Sequence, residues 1–180
     1  MTYYGSKDLA TAFRTVRNNT IKIAEDIPES QYGFKPAPDS NSISQTLTHI
    51  AVSTNFQQHV HENKVTDMRT LNFVELFQMF KAEESKTRTK AELIAFLKSQ
   101  GDAFASYLES VPESVLAEQV TMPPGAQPET KSRFEMLLSA KEHEMHHRGQ
   151  LMLMERLVGV VPHLTRELNA RLAAMASAKQ

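Results

Sequence analysis

The sequence predicts an all-α protein folded as a four-helix bundle. Apolar residues recur at three- and four-residue spacing along most of the chain, which is the pattern of helices with one buried face. The chain has six glycines in 180 residues, too few for a sandwich or barrel with many tight turns. Because this length suits one domain, we expect a single domain over residues 1–180.

The first two helices are bounded by clear local signals. The first is predicted over about residues 6–26, and Pro28 with the run GFKPAPDSN ends it. Its apolar side comprises Leu9, Phe13, Val16, Thr20, Ile23 and Ile27. The second is predicted over about residues 42–62, because Asn41 or Ser42 can cap its start and no proline or glycine interrupts it.

The middle of the chain contains a third long helix, predicted over about residues 89–109. Its apolar positions are Leu93, Leu97, Phe104 and Leu108. Gly101 lies inside it and weakens it by roughly 1 kcal/mol relative to alanine. The preceding stretch, residues 71–80, is apolar enough for either a short helix or a buried connection, and its pattern fits both.

The last part of the chain is predicted as a loop and two helices. The run VTMPPGAQPETK, residues 120–131, predicts the loop. The fourth long helix is predicted over about residues 132–158, and a short terminal helix over 164–176. Four long helices with longer connections fit a bundle, whose interior is a common place for a metal or cofactor site.

Charge and composition exclude several classes of function. The 20 basic and 21 acidic residues are interleaved and give a net charge of -1, so we predict no nucleic-acid partner. The chain has no cysteine, which excludes disulfides, thiolate ligands and a cysteine nucleophile. We see no signal-peptide pattern and no apolar run of about 18 residues, which predicts a cytoplasmic protein with no membrane partner.

Three histidines crowd the stretch KEHEMHHRGQL of the fourth predicted helix. At about 100° per residue, His143 and His147 lie about 40° apart, whereas His146 lies about 60° to the other side of His143. The stripe through His143 and His147 is otherwise largely apolar; it contains Met136, Ala140, Gln150, Leu151, Met154 and Val158. We therefore expect this pair to face inward and His146 to lie at the surface or beside the site.

Two imidazoles one helical turn apart can converge on one metal ion, but a site needs a third ligand from another helix. The spacing leaves several candidates, which are His49, His59, His61, His163 and the carboxylates. His49 interrupts an apolar stripe of the second helix, whereas His59 and His61 look solvent-facing. The alternative for each inward histidine is a core residue hydrogen-bonded to the backbone.

Three segments together resemble the DinB/YfiT-like metalloenzymes: DIPESQYGFKPAPDSNS, ISQTLTHIAVS and HEMHHRGQLMLMERLVGVVP. That family carries one histidine on the second helix and an H-x-x-x-H pair followed by G-Q on the last long helix. The match spans about residues 9–162. The resemblance implies an up-down-down-up four-helix bundle, commonly a homodimer, in which His49, His143 and His147 hold a divalent metal, nickel or zinc.

The resemblance also implies a class of chemistry. Some relatives are similar to thiol-dependent transferases and isomerases that use bacillithiol, mycothiol or glutathione. We therefore expect a small-molecule substrate, a low-molecular-weight thiol as a co-substrate, and either metal-dependent hydrolysis or S-transfer. A three-histidine site with an open position suits both, because the ion can lower the pKa of a coordinated water or thiol. Imidazole ligands by themselves suit zinc, nickel, copper and iron alike.

Two alternatives remain for the same residues. His143 to His147 also spells H-E-x-x-H, in which a zinc metallopeptidase uses the glutamate as its general base. We prefer the bundle, because zinc peptidases pair that helix with a sheet and this chain shows no strand pattern; Glu144 is then a solvated residue paired with Arg148. The other alternative is a non-catalytic, stress-related metal-binding scaffold.

Overall fold

The computed structural model describes residues 4–178, which form seven α-helices, two short 3-10 helices (Glu29–Gln31 and Met68–Thr70) and one short pair of strands. The helices are α1 (Ser6–Asp26), α2 (Ile43–Glu62), α3 (Phe73–Glu84), α4 (Lys90–Ser110), α5 (Glu113–Leu116), α6 (Arg133–Leu157) and α7 (His163–Ser177). The strands are β1 (Gln119–Thr121) and β2 (Thr130–Ser132), paired antiparallel. None of the helices in this part of the chain combines the length and the apolar character needed to cross a membrane.

Local capping explains where the long helices begin. The side chain of Ser42 accepts a hydrogen bond from the backbone N–H of Gln45, and Thr89 does the same before α4. In both cases the residue three positions on returns a hydrogen bond to the cap's own backbone, which completes a capping box. Ser132 caps α6 by accepting a hydrogen bond from the backbone N–H of Glu135. The four predicted long helices are therefore confirmed to within a residue or two.

The four long helices α1, α2, α4 and α6 form the bundle. Both α4 and α6 pack against α1 and against α2, so α1 and α2 lie diagonally opposite each other. Arg14 in the first half of α1 pairs with Glu109 at the end of α4, which makes these two helices antiparallel. His61 at the end of α2 contacts Arg133 at the start of α6, which makes that pair antiparallel too.

The apolar core completes the description of the topology. The first half of α1 shares one buried cluster with the first half of α6, and the ends of both helices share another. Helices α1 and α6 are therefore parallel. Together with the two antiparallel pairs, this gives the up-down-down-up bundle that the family resemblance implies.

A buried ion pair separates the two apolar clusters. Arg17 and Glu144 are only 3% and 1% exposed, and Arg17 Nε donates to both carboxylate oxygens at 3.0 and 3.1 Å. The Arg17 guanidinium also donates to the carbonyl oxygens of Leu97 at 2.8 Å and Ile50 at 3.2 Å. A Cβ at Gly101 would lie 2.7 Å from Arg17 Cγ, so the glycine that weakens α4 is needed to admit this arginine.

One connection differs from what the sequence predicts, and a second adopts one of the two alternatives that the sequence leaves open. The loop prediction for residues 120–131 is wrong at its ends, which pair as β1 and β2 because Val120 is buried against the apolar side chains of Val60, Met68 and Met136. Residues 73–84 form the helix α3 rather than a buried connection. Leu76 is its single buried residue within the part of the chain that the structure describes, and α3 packs mainly against α2.

A second buried carboxylate, Glu155 near the end of α6, gives a testable pH dependence. Its side chain is fully buried, and neither carboxylate oxygen has a hydrogen-bond partner among the described residues. Burial, with a smaller contribution from the charge of Asp26, raises the pKa of Glu155 to about 7. Folding therefore favours the protonated acid, and this contribution to stability is lost as pH rises from about 4.5 through about 7.

The Glu155→Gln variant is expected to be more stable than the wild type at pH 8, by about 1–3 kcal/mol, because the amide cannot ionise. At pH 4.5 the two proteins should unfold at nearly the same urea concentration. Urea unfolding at both pH values measures the difference. An equal stability at pH 8 would mean that the carboxylate finds a partner or water in solution.

Candidate metal centre

Three imidazoles converge where α2 faces α6. The Nε2 atom of His143 lies 3.1 Å from Nε2 of His49 and 3.1 Å from Nε2 of His147. Each of the three residues offers one ring nitrogen within 4.8 Å of the others. Two nitrogens bound to one zinc ion at about 2.0–2.1 Å in tetrahedral geometry are about 3.4 Å apart, so the observed spacing fits a shared ion closely.

The helices explain why these three rings meet. His143 and His147 are one turn apart on α6, so both rings leave the same face of that helix. Helix α2 runs antiparallel beside this face and carries His49 on its second turn. Among residues 4–178, this is the one group of three or more histidine or carboxylate side chains placed to share a metal ion.

Hydrogen bonds on the far side of two rings set their tautomers. His49 Nδ1–H donates to Glu84 Oε1 at 2.7 Å, and His147 Nδ1–H donates to Gln150 Oε1 at 2.8 Å. With the proton held on Nδ1, each ring directs an unprotonated Nε2 toward the cluster. His143 Nδ1 is buried with no hydrogen-bond partner among the described residues.

The electrostatics favour neutral rings and a cation between them. Burial, and then the neighbouring His147 and His49, lower the pKa of His143 to about 4. Burial also lowers the pKa of His147. Three neutral rings whose Nε2 lone pairs face one another repel unless a cation or a proton lies between them. The donor set and the tautomers therefore suit a divalent ion of the kind that imidazole binds.

Glu84 is a candidate site residue that sequence reasoning missed. It lies at the end of α3, beyond the apolar stretch that draws attention to this segment, and its contact with His49 depends on how α3 folds back along α2. A carboxylate on the outer nitrogen of a metal-binding histidine orients the ring and raises its basicity. Glu84 has this position relative to His49.

The Glu84→Ala variant is expected to bind zinc about 10–100-fold more weakly than the wild type, because His49 loses the acceptor that fixes its ring. Competition with a chromophoric zinc chelator measures the affinity. Glu83→Ala is the matched control, since Glu83 is next on the same helix and pairs with Lys86 and Arg88 instead. Equal affinity in both variants would show that the His49–Glu84 contact does not support the site.

The remaining histidines are not among the three that converge. His146 is exposed beside the cluster, with its ring centroid 5.0 Å from that of His147 and its Nε2 accepting a hydrogen bond from Gln150 Nε2 at 3.2 Å. His59 is partly exposed near the end of α2. The expectation that His61 faces solvent is wrong: it is 6% exposed, and its Nδ1 accepts a hydrogen bond from Arg133 at 3.0 Å. His61 is covered because the start of α6 packs over the end of α2. His163 is buried at the start of α7, where its Nε2 donates a hydrogen bond to Asn19 Oδ1 of α1 at 3.1 Å.

The environment of Glu144 also differs from its predicted one. The sequence interpretation made it a solvated partner of Arg148, whereas the structure buries it against Arg17. Successive residues on α6 point about 100° apart, so His143 faces α2 while Glu144 faces α1. This geometry argues against the zinc-peptidase alternative, because the carboxylate that would act as general base points away from the histidines.

A large cavity opens beside the three histidines, between α2, α3 and α6. Its volume is about 880 Å³, within the range of small-molecule sites. His49, His143 and Glu84 form one end of it. Most of the remaining wall is apolar and comprises Val52, Phe56, Val74, Phe77, Phe80 and Ala140. The chain thus combines a helical bundle, a three-histidine cluster and an adjoining apolar cavity.

The fold and the site place the chain among helical bundles with a histidine cluster between their helices. Comparison with known proteins then identifies the family. The model of the DinB superfamily matches residues 12–151. The chain therefore belongs to the DinB superfamily. The uncharacterized protein YjoA of Bacillus subtilis is 27% identical over 154 residues, which are 86% of this chain and 91% of YjoA.

Solved structures share the fold. The crystal structure of YjoA, a DinB-like protein from Bacillus subtilis, has a TM-score of 0.61 at 24% identity and covers 84% of this chain and 91% of its own. YfiT from Bacillus subtilis, with an unusual four-helix bundle topology, has a TM-score of 0.67 at 13% identity over 89% of this chain and 91% of its own. The colibactin self-resistance protein ClbS, solved with double-stranded DNA, has a TM-score of 0.57 at 14% identity and covers 84% of this chain and 98% of its own.

Proposed function

We propose that this chain binds one divalent metal ion through His49, His143 and His147 and uses it in hydrolysis or thiol S-transfer on a small molecule. The observation that carries this proposal is the convergence of three Nε2 atoms, two of them at 3.1 Å from the third. YfiT, which shares the fold, is described as a probable metal-dependent hydrolase. Zinc and nickel are the ions we propose, because the family resemblance implies them; imidazole ligands alone would suit copper and iron as well.

The chain's own residues supply binding, orientation and exclusion of water. The three imidazoles would hold a divalent ion at the edge of the cavity, and an ion with three protein ligands would keep a position open for water or substrate. Glu84 and Gln150 hold the outer nitrogens of His49 and His147, so the rings keep their orientation while ligands exchange. A divalent ion bound there polarises an oxygen or lowers the pKa of a coordinated water or thiol.

The S-transfer version requires sulfur from outside the chain. There is no cysteine in the sequence, so the nucleophilic sulfur must come from a low-molecular-weight thiol. The cavity has room for such a co-substrate and a second molecule at about 880 Å³. Hydrolysis needs no thiol, and this difference separates the two reactions experimentally.

Metal analysis tests the proposal first. Elemental mass spectrometry of protein purified without a nickel column is expected to find about one zinc or nickel ion per chain. Thermal shifts of the metal-loaded protein against bacillithiol, mycothiol and glutathione then test S-transfer, and ester substrates test hydrolysis. A protein that takes up no divalent ion at neutral pH contradicts the proposal, and no stabilisation by any thiol leaves hydrolysis as its remaining form.

A non-catalytic scaffold would use the same ligands differently. In that case the fourth position of the ion would be closed by a protein group, whereas catalysis keeps it open. The cavity beside the histidines favours the open form. X-ray absorption of the metal-loaded protein distinguishes them, because an exchangeable oxygen ligand beside three nitrogens is expected for the open site.

For partners, we propose a cytoplasmic homodimer that acts on small molecules and does not bind nucleic acid. ClbS, at 14% identity, was solved with double-stranded DNA. The interleaved charges of this chain, 20 basic and 21 acidic, support the opposite expectation here. Fluorescence anisotropy with a labelled DNA duplex and analytical ultracentrifugation check the two expectations separately.

A further inference from the structure

The cavity beside the histidines has one polar end and one apolar end. On α2, His49 and Phe56 both line it and lie seven residues apart, which is roughly 10 Å along the helix axis. Helix α3 runs the opposite way beside α2, so Glu84 lies next to His49 while Phe73 lies next to Phe56, at a ring-centroid distance of 6.4 Å. The cavity is therefore a slot about two helical turns long that starts at His49 and His143 of the three-histidine cluster.

Aromatic rings dominate the apolar part of the slot. Phe56 contributes from α2, and Phe77 and Phe80 contribute from α3. The rings of Phe56 and Phe80 meet edge to face at a centroid distance of 6.4 Å. Aromatic pairs in edge-to-face or offset contact are stabilised beyond the area that they bury, so a wall of this composition favours a flat aromatic group over an alkyl chain of similar size.

Two large apolar side chains of the outer wall of the slot are largely exposed to solvent, and a bound ligand would cover part of each. Val74 is 68% exposed and Phe77 is 62% exposed, although both line the cavity. Covering large apolar side chains is favourable in proportion to the area removed from water. A molecule lying in the slot would cover the inner surfaces of these side chains and pack α3 more firmly against the bundle.

We propose that the slot binds an aryl-bearing small molecule, with its polar head at the three histidines and its aromatic ring among Phe56, Phe77 and Phe80. This inference rests on the proposed function for the position of the head group, whereas the aromatic end rests on the cavity wall alone. It narrows the substrate class from any small molecule to an aryl or arylalkyl compound about 10 Å long.

Three hydroxamates test the slot in the zinc-loaded protein. Acetohydroxamate has only the metal-seeking head, phenylbutyrohydroxamate adds an aryl tail, and the straight-chain hydroxamate of equal carbon number adds an alkyl tail. Calorimetry is expected to show that the aryl compound binds about 10–100-fold more tightly than acetohydroxamate. It should also bind several-fold more tightly than the straight-chain compound. Equal affinities for the aryl and straight-chain compounds overturn the aryl assignment.

The Phe77→Ala variant is expected to lose about tenfold in affinity for phenylbutyrohydroxamate and to bind acetohydroxamate unchanged. Because Phe77 is largely exposed, this variant should fold; Val74→Ala is a second, smaller truncation of the same wall. Leu168→Ala on α7 is the matched control, since Leu168 is 56% exposed and does not line the cavity. The proposal is overturned if the ratio of affinities for phenylbutyrohydroxamate and acetohydroxamate is the same in Phe77→Ala and in the wild type.

Phenylbutanol, which lacks a metal-binding head, separates this proposal from the proposed function. If the chain takes up no metal, phenylbutanol should still raise the melting temperature of the wild type and raise that of Phe77→Ala less. If the protein binds metal and acetohydroxamate, but the aryl ring adds no affinity to phenylbutyrohydroxamate and phenylbutanol does not stabilise the protein, the slot proposal is wrong and the metal-site proposal is unaffected. The proposal is also wrong if the protein is a dimer that the Phe77→Ala substitution dissociates and if the aryl tail adds no affinity. In that case the wall binds a second copy of the chain.

Discussion

The His143→Ala variant is expected to lose the bound divalent ion, with its zinc affinity falling by at least about a hundredfold. His143 Nε2 is the central nitrogen of the cluster, 3.1 Å from both other Nε2 atoms, so its removal leaves two ligands on different helices. Loss of an outer hydrogen-bond partner alone costs about 10–100-fold, and loss of a ligand should cost more. Element analysis of protein purified without a nickel column measures the occupancy.

The same result is expected for His49→Ala and His147→Ala, because each removes one of three ligands. His146→Ala is the control: it lies on the same stretch of α6 and contacts Gln150, but its ring is exposed and it is not one of the three converging histidines. Zinc should raise the melting temperature of the wild type and of His146→Ala, since a ligand that binds only the folded state stabilises it. Full occupancy in His49→Ala and His147→Ala would show that the ligand set is wrong.

The helices could be predicted because their signals are local. A serine or threonine followed three residues later by glutamine or glutamate marks the starts of α2, α4 and α6 whatever the rest of the chain does. The inward direction of His143 and His147 also follows from helical spacing alone. The choice of His49 as their partner required the family resemblance, since spacing leaves several candidate ligands.

The remaining features depend on contacts between distant segments. A helix packed on one side has one buried face, but α6 contacts both α1 and α2 and so has two. For that reason Glu144, which looks solvated from a single stripe, is buried against α1. The role of Glu84 has the same origin, because the contact joins residues 35 apart and depends on the return of α3 along α2. Neither contact leaves a periodic signal in the sequence.

The second large effect is expected from the buried ion pair. The Glu144→Gln variant should be destabilised by about 3–5 kcal/mol, because it leaves the Arg17 guanidinium buried with two backbone carbonyls as its acceptors and no counter-charge. Urea unfolding measures the loss. Glu142→Gln is the control, since Glu142 is exposed on the same helix. A loss below about 0.5 kcal/mol would mean that Glu144 is solvated after all.

The double variant Arg17→Met with Glu144→Leu separates stability from chemistry. Replacing a buried ion pair by apolar side chains of similar size is often neutral or stabilising, so this protein should recover most of the stability that Glu144→Gln loses. It should also keep its metal, because neither side chain contacts the three histidines within the part of the chain that the structure describes. The assay is the hydrolysis or S-transfer activity of the metal-loaded double variant. Retained activity would show that the ion pair only positions α1 against α6. Complete loss of activity in a stable, metal-loaded protein would mean that the carboxylate of Glu144 acts in the reaction, as the glutamate of H-E-x-x-H does in a zinc peptidase.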